Sequence, residues 1–335
     1  MSFINARIRG TGCNPAEYHT QLEGVERGDP NFIISPSSLK AFFQCPSRWR
    51  HGYESPESKA KDFGSLLDCC LLTPDQFPKR YAIAPATYQA EPKKKGEPME
   101  TKPWNNNATL CKEWNAEQHA AGREVVKADD VLEVKDAIAR LTGDPVIAPW
   151  LAACDSQVWV EGQWQDEATG LFIPVRCLLD FVPRADSEFS SSLGDCKTTT
   201  NGGLREFERQ AIGLGYHVQA GFDLDLFNAA TGEDRTGWTL LGVENYPPYE
   251  PIRRILDPHL LELGADEYRR ALKVYCHCLK TQVFPGYDDH RDATQGYSVL
   301  TAPPWLEYAS ASDKLSSLVE AELSTEEKLD AAFGK

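Results

Sequence analysis

The sequence predicts an α/β fold, a mixed central β-sheet flanked by helices. Three observations carry that prediction. Apolar segments of strand length at 158–164, 175–182 and 238–243 alternate with segments of helical period at 62–72, 129–141, 204–228 and 268–279. Between the second and third of these helical segments lies an apolar strand, a polar turn and a second apolar approach, the arrangement of two neighbouring strands. With 335 residues and 41 % hydrophobic content, the chain can bury a sizeable core, and its length suits a single α/β domain with insertions.

Taken in order, residues 1–30 are polar and glycine-containing without clear periodicity, and predict an N-terminal arm. From Ile33 to Tyr53 the chain reads as a helix pair. Ser35 is placed as an N-cap with Pro36 at the first helical position, Leu39, Phe42 and Phe43 give an apolar face, and Cys45-Pro46 ends the first helix. Trp49 is either core or, with Arg48 and Arg50 beside it, part of a phosphate-binding surface. Residues 62–72, DFGSLLDCCLL, form an apolar helix in which Leu67, Cys70 and Leu71 are expected to be buried. Asp68 is the charged residue inside that run, and it is either a surface residue or faces a cleft.

Residues 85–127 are rich in Lys, Glu, Pro, Asn and Trp, and predict a loop carrying Lys93-Lys94-Lys95, then a helix from Leu110 to Gly122. The lysines are a solvated run or a DNA-facing loop. An amphipathic helix at 129–141 runs through Val131, Val134, Ile138 and Leu141, and a meander begins with Val158–Trp164, turning at Asp166–Gly170.

The stretch 178–199, LLDFVPRADSEFSSSLGDCKTT, concentrates the chemistry. Side chains alternate along a strand, so Asp195 and Lys197 share one face while Cys196 points to the other, into the apolar layer. If the two strands are neighbours, Asp180 shares the charged face. Two carboxylates and one ammonium converging on a sheet are costly unless something binds them. Phosphodiester hydrolysis asks for such a set. A hard cation neutralises the non-bridging oxygens and lowers the pKa of water, and carboxylate oxygens suit Mg²⁺ or Mn²⁺. Asp180 and Asp195 are the expected ligands, joined by the Cys196 backbone carbonyl. Lys197 is expected to orient or deprotonate the water, or to stabilise charge on the phosphorus centre.

Next, Leu204–Asn228 predicts one long helix. Phe207, Ala211, Leu214, Val218 and Phe222 are expected to pack on the sheet, with Tyr216 and Gln219 on a separate polar stripe and a kink or close packing at Gly213 and Gly215. Gln219 is a substrate-binding candidate, for phosphate or for positioning Lys197, and Tyr216 stands beside it. His217 reads as packed or solvent-facing. Trp238–Val243 is a strand, and Tyr268–Leu279 an amphipathic helix. The Cys276-x-Cys278 pair stands alone, which does not suit an iron–sulfur cluster. Residues 309–335 read as an acidic C-terminal tail.

Composition narrows the function classes. A net charge of −15 argues against a broad nonspecific nucleic-acid surface, though not against a local basic channel. No stretch approaches about 18 consecutive apolar residues, and MSFINARIRG lacks a signal-peptide core, so a cytoplasmic protein with no membrane partner is expected. Ten cysteines at scattered spacings read as reduced thiols.

The order Asp180, Asp195-x-Lys197 resembles the D-x(n)-D-x-K pattern of the PD-(D/E)XK nuclease superfamily. More specifically, ISPSSLKAFFQCPSRWR and FGSLLDCCLLTPDQFPKRYAIAP resemble the opening of the exonuclease VIII (RecE-type) nuclease domain. W-x-D-x-x-T-G at Trp164–Gly170, D-C-K-T-T, GYHVQA at 215–220, Pro247-Pro248-Tyr249, FPGY and PPWL continue the likeness in order. It runs over about residues 33–308, and a nuclease domain at 31–308 is expected. It implies a PD-(D/E)XK (restriction-endonuclease-like) core and a Mg²⁺-dependent exonuclease acting 5′→3′ on linear duplex ends for recombination. A homo-oligomer and a single-strand-annealing partner are implied too. The family carries a metal-ligating His where this chain has Asp68, so Asp68 is the implied ligand. Its Q-x-x-x-Y pattern calls for tyrosine where Asp223 stands, and Phe222 or Tyr216 is left as the stand-in. The reading from another class is a catalytically silent nuclease fold that binds nucleic acid or serves as a scaffold.

Overall fold

The computed structural model describes residues 2–20, 24–52, 59–90 and 98–287. The chain divides into two units, residues 1–284 and 285–335, and every described strand and helix belongs to the first. β1 (Ser2–Gly10) and α1 (Pro15–Thr20) lead into α2 (Pro36–Gln44), α3 (Pro46–Arg50), α4 (Lys59–Leu72) and the short α5 (Phe77–Arg80). A peripheral region follows, made of β2 (Tyr81–Ile83), β3 (Thr87–Ala90), β4 (Glu100–Pro103), α6 (Thr109–Ala120) and β5 (Glu124–Val126). There β2 pairs parallel with β5, and β3 antiparallel with β4. α7 (Ala128–Gly143) and α8 (Ile147–Ala152) then precede β6 (Cys154–Asp166), β7 (Leu171–Pro183) and β8 (Ser192–Thr199). The chain continues through α9 (Leu204–Gly213), α10 (Tyr216–Thr231), β9 (Gly237–Glu244), β10 (Pro251–Ile255) and α11 (Pro258–Thr281).

Six strands form the central sheet in the order β1-β6-β7-β8-β9-β10. Its pairings are antiparallel except β8–β9, which is parallel. A parallel pair needs a long crossover, and α9 with α10 supplies it. The sheet is covered on both faces. One face packs Val160, Ile173, Val175 and Leu193 against α2, α10 and α11 through Leu39, Phe42, Phe222 and Tyr275. The other packs Phe181, Cys196, Leu241 and Val243 against α4, α7 and α8 through Leu67, Val134 and Trp150. Helices α10 and α11 cross closely because glycines meet there. A Cβ on Gly264 would collide with the His217 carbonyl, and one on Gly221 would come within 2.6 Å of the Ala265 nitrogen.

The helix pair is as its caps predict. Ser35 Oγ accepts from the Ser38 amide at 3.3 Å, Pro36 and Pro46 open α2 and α3, and Trp49 is 2 % exposed. Three expectations are corrected. Residues 1–30 are not a free arm: Ser2–Gly10 is an edge strand of the sheet, paired with β6 through two register shifts, which is why no clean alternation shows in its sequence. The 204–228 helix is two helices. Gly215 takes a left-handed φ of 64° between them, and Leu214, freed from the sheet, is 53 % exposed. In α4 the buried positions are Leu66, Leu67, Cys69 and Leu72, with Cys70 and Leu71 only partly buried, because the helix turns its core face about one residue from the expected phase. The separate polar stripe of Tyr216 and Gln219 lies on the cavity side of α10, which is buried nearly all round between the sheet and α11. The Lys93–Lys95 run, the PPWL motif and the 309–335 tail lie outside the described residues. Among the described residues no helix is long and apolar enough to cross a membrane.

Candidate active site

The site arises where β7 and β8 part. Their register is a single pair, Phe181 with Gly194. One step further, the Cys196 amide has no strand carbonyl on its β7 side and donates to Asp180 Oδ2 instead, at 2.8 Å. A carboxylate thus replaces the sheet ladder, and the parting strands open a cavity of about 350 Å³. Asp68, Asp180, Asp195, Cys196, Lys197 and Gln219 all line it, so the structure brings the sequence candidates together. Tyr216 stands just outside, its ring 5.2 Å from Lys197 Nζ. Phe222 does not: it packs on Phe3 and Tyr268 in the core. Of the two aromatic stand-ins, Tyr216 is therefore the one beside the site. Arg48 and Arg50 do not line the cavity, and Arg50 lies 3.8 Å from Glu26.

Each side chain is held by its element. Asp195 and Lys197, two apart on β8, face the same way and form an ion pair, while Cys196 points into the opposite core. Gln219 Nε2 of α10 donates to Asp195 Oδ1 at 3.0 Å. Asp68 comes from α4, which crosses β8 at Gly64. A Cβ there would lie 3.3 Å from Thr198 Oγ1, so the glycine sets how near the helix can come. No hydrogen bond or salt bridge to Asp68 occurs among the described residues, and its carboxyl faces the cavity half-buried.

Sequence reasoning passed over three lining residues. Gln157 of β6 is 3 % exposed, has a left-handed φ of 51°, and donates from Nε2 to Asp180 Oδ1 at 2.9 Å. A non-glycine residue in that region is strained, and such strain gathers at functional sites. Its signal was a lone amide inside SQVWV. Asp223, a lone acid in the apolar run of α10, is 1 % exposed. Arg80, at the end of α5, is the lining cation besides Lys197.

The electrostatics follow from this crowding. Burial, then the neighbouring Asp195 and Asp68, push the Asp180 carboxyl well above the carboxylate range. Burial pushes Asp68 up to about 7, with Lys197 pulling against it and Asp195 adding to it. Burial alone would lower Lys197, but Asp195 and Asp180 outweigh it and hold the ammonium above its ordinary range. Lys40 of α2, half-buried and near Lys197, is lowered to about 8 by its desolvation first and then by Lys197, and it donates to the Leu214 carbonyl at 3.1 Å. Acids that raise one another in a shared cavity are short of positive charge, and oxygen donors of this kind suit a hard divalent cation. Among the described residues no three His, Cys, Asp or Glu side chains close into a ready ligand cluster. Asp180 is engaged instead by Gln157 and the Cys196 amide, and Asp195 by Gln219 and Lys197. The donor chemistry fits a divalent cation, with Lys197 now occupying one of its carboxylates.

His217 is packed, 3.5 Å from Glu267, and Cys276 and Cys278 are buried core residues of α11.

No family model matches the chain, and no curated protein matches it. A solved structure from Eubacterium rectale, described as a "putative exonuclease", is similar over 88 % of this chain and 96 % of its own, with a TM-score of 0.51 at 13 % identity. At that identity the likeness speaks for the fold: a mixed α/β protein with a mostly antiparallel central sheet flanked by helices, shared with a nuclease-like neighbour.

Proposed function

We propose that this chain is a metal-dependent DNA exonuclease with a PD-(D/E)XK core, hydrolysing phosphodiester bonds from linear duplex ends. The observation that carries the reading is the convergence of Asp180, Asp195 and Lys197 on one cavity at the parting of β7 and β8. The residues that would hold Mg²⁺, or Mn²⁺ in its place, are Asp68, Asp180, Asp195 and the Cys196 carbonyl. A bound divalent cation supplies charge neutralisation and a water of lowered pKa. The chain's own groups do the rest. Gln157 and the Cys196 amide hold Asp180 by both oxygens, Gln219 holds Asp195, and Lys197 presents an ammonium to the phosphate oxygens. Arg80 and Lys197 give the cavity local positive charge on a protein of net charge −15. The RecE-type resemblance extends the proposal to 5′→3′ polarity, single strands for recombination, a homo-oligomer and a single-strand-annealing partner in the cytoplasm.

Incubation with linear and closed-circular duplex DNA, in Mg²⁺, Mn²⁺ or EDTA, tests this. Progressive loss of the linear form with either ion, and none in EDTA, is the expected result. One observation favours a second reading, a silent nuclease fold that binds nucleic acid: Asp180 and Asp195 are already engaged and, among the described residues, no ligand cluster is closed. Binding to DNA ends without cleavage in every divalent ion would select that reading.

A further inference from the structure

Lys197 lies on a stretch of β8 from which β7 has already parted. Cys196 and Thr198, two apart, turn their backbone groups to the same side, toward β7. Thr199, one further on, faces the other way, its carbonyl accepting from the Asn245 amide at 2.9 Å. A buried backbone group left without a partner is costly, and here side chains supply the partners. Asp180 accepts from the Cys196 amide at 2.8 Å, and Gln210 Nε2 of α9 donates to the Thr198 carbonyl at 3.2 Å. The ladder on either side of the lysine is thus completed by side chains, an acid before it and an amide after it.

Gln210 also reaches beyond that edge. Its Oε1 accepts from Thr199 Oγ1 at 2.6 Å, and Nε2 donates to the Tyr216 hydroxyl at 3.3 Å. An amide nitrogen carries two hydrogens, so both donations are made at once. A carbonyl only accepts, so the Thr198 oxygen fixes which end of the amide faces β8. The Tyr216 ring held in this way lies 5.2 Å from Lys197 Nζ, within the range of a cation–π contact. The same ammonium pairs with Asp195. We propose that Gln210 is a positioning residue for Lys197: it fixes the strand end that carries the lysine and, through the tyrosine hydroxyl, the ring against which the ammonium lies. Gln210 and Tyr216 both stand outside the cavity lining, so they act through the lysine. This inference rests on the nuclease reading of that site.

The test is a double-mutant cycle with Gln210→Met and Tyr216→Phe, read as kcat and KM on linear duplex and as Mn²⁺ affinity by calorimetry. Methionine keeps the length of glutamine and loses both donors, while phenylalanine keeps the ring and loses the hydroxyl. Displacing a group beside a reaction centre changes activity by roughly 10–100-fold. Gln210→Met should lose kcat in that range, with KM and Mn²⁺ affinity close to wild type, because Gln210 contacts none of the expected ligands. Tyr216→Phe should lose a smaller part of kcat in the wild-type background. In the Gln210→Met background it should lose nothing further, because the hydroxyl there has no amide to hold it. Native circular dichroism confirms that the variants are folded. Should Gln210→Met unfold, Tyr216→Phe alone decides: a lower kcat at unchanged KM and Mn²⁺ affinity supports the inference, and a wild-type kcat overturns it. Equal losses from Tyr216→Phe in both backgrounds overturn it too. So does a fall in Mn²⁺ affinity that tracks the fall in kcat, which marks a general loosening of β8. A Gln210→Met that matches a cleaving wild type overturns this inference alone. A wild type that leaves linear duplex intact in every divalent ion overturns the nuclease reading, and this inference with it.

Discussion

Asp68 and Asp180 show what the cavity asks of single residues. Both carboxyls are raised by burial first, and a raised acid destabilises the folded state once it ionises. The sign is fixed by the two states. An unfolded aspartate titrates near ~3.9 and folded Asp68 at about 7, so its stability contribution is full below the lower value and is lost as pH climbs through the upper. In EDTA, Asp68→Asn should therefore melt above wild type at pH 8, with the gap shrinking toward pH 4. Equal melting curves at both pH values would show that the carboxyl bears no such strain. Asp180→Asn and Asp195→Asn lose charge at nearly constant volume. Each should abolish divalent-dependent hydrolysis while circular dichroism stays native, and retained cleavage in either would remove the central claim. Which acids mattered was readable from the D-x-K spacing. That Gln157 holds Asp180 from the next strand was not, because a contact between residues 23 apart depends on strand register.

Between the elements, glycines decide distances. Gly264 on α11 sits against the His217 carbonyl of α10, where an added Cβ has no room. Gly264→Ala should push the helices apart and cost roughly 1–3 kcal/mol, the range for overpacking. At Gly213, in the last turn of α9, an added Cβ meets nothing within 4 Å. There Gly→Ala should be neutral or stabilising by up to ~1 kcal/mol, through helix propensity alone. Denaturant unfolding of the two variants checks the contrast, and equal effects would refute the close-crossing account. The sequence marked Gly213 and Gly215 as a place for a kink, and Gly215 is where the chain turns. It did not reveal the break of one helix into two, because helical period runs on through Leu214 while burial does not.

For the whole molecule, the balance of charge sets the expected linkage. A cavity lined by four acids, Asp68, Asp180, Asp195 and Asp223, against Lys197 and Arg80 should take up a divalent cation in the folded state and not in the unfolded one, which raises stability by mass action. Millimolar Mn²⁺ should raise the melting temperature of wild type relative to EDTA, and the rise should be lost in Asp180→Asn. The same rise in both proteins would place the cation elsewhere.

What the sequence determined alone is the set of things local in it: the strand–turn–strand around Asp180 and Asp195, the Ser35 cap, the apolar helix bearing Asp68, and Cys196 turned to the core. Each depends on alternation, period or a cap, which a few neighbouring residues specify. Tertiary structure decided the rest. Ser2–Gly10 is a strand only because β6 is there to pair with it, its own residues being too irregular to say so. The parting of β7 from β8 turns an amide and a carboxylate toward each other. The crossing of α4 over β8, and the burial of α10 on nearly every side, then bring Asp68 on one helix and Gln219 and Asp223 on another to one cavity from two distant places in the chain.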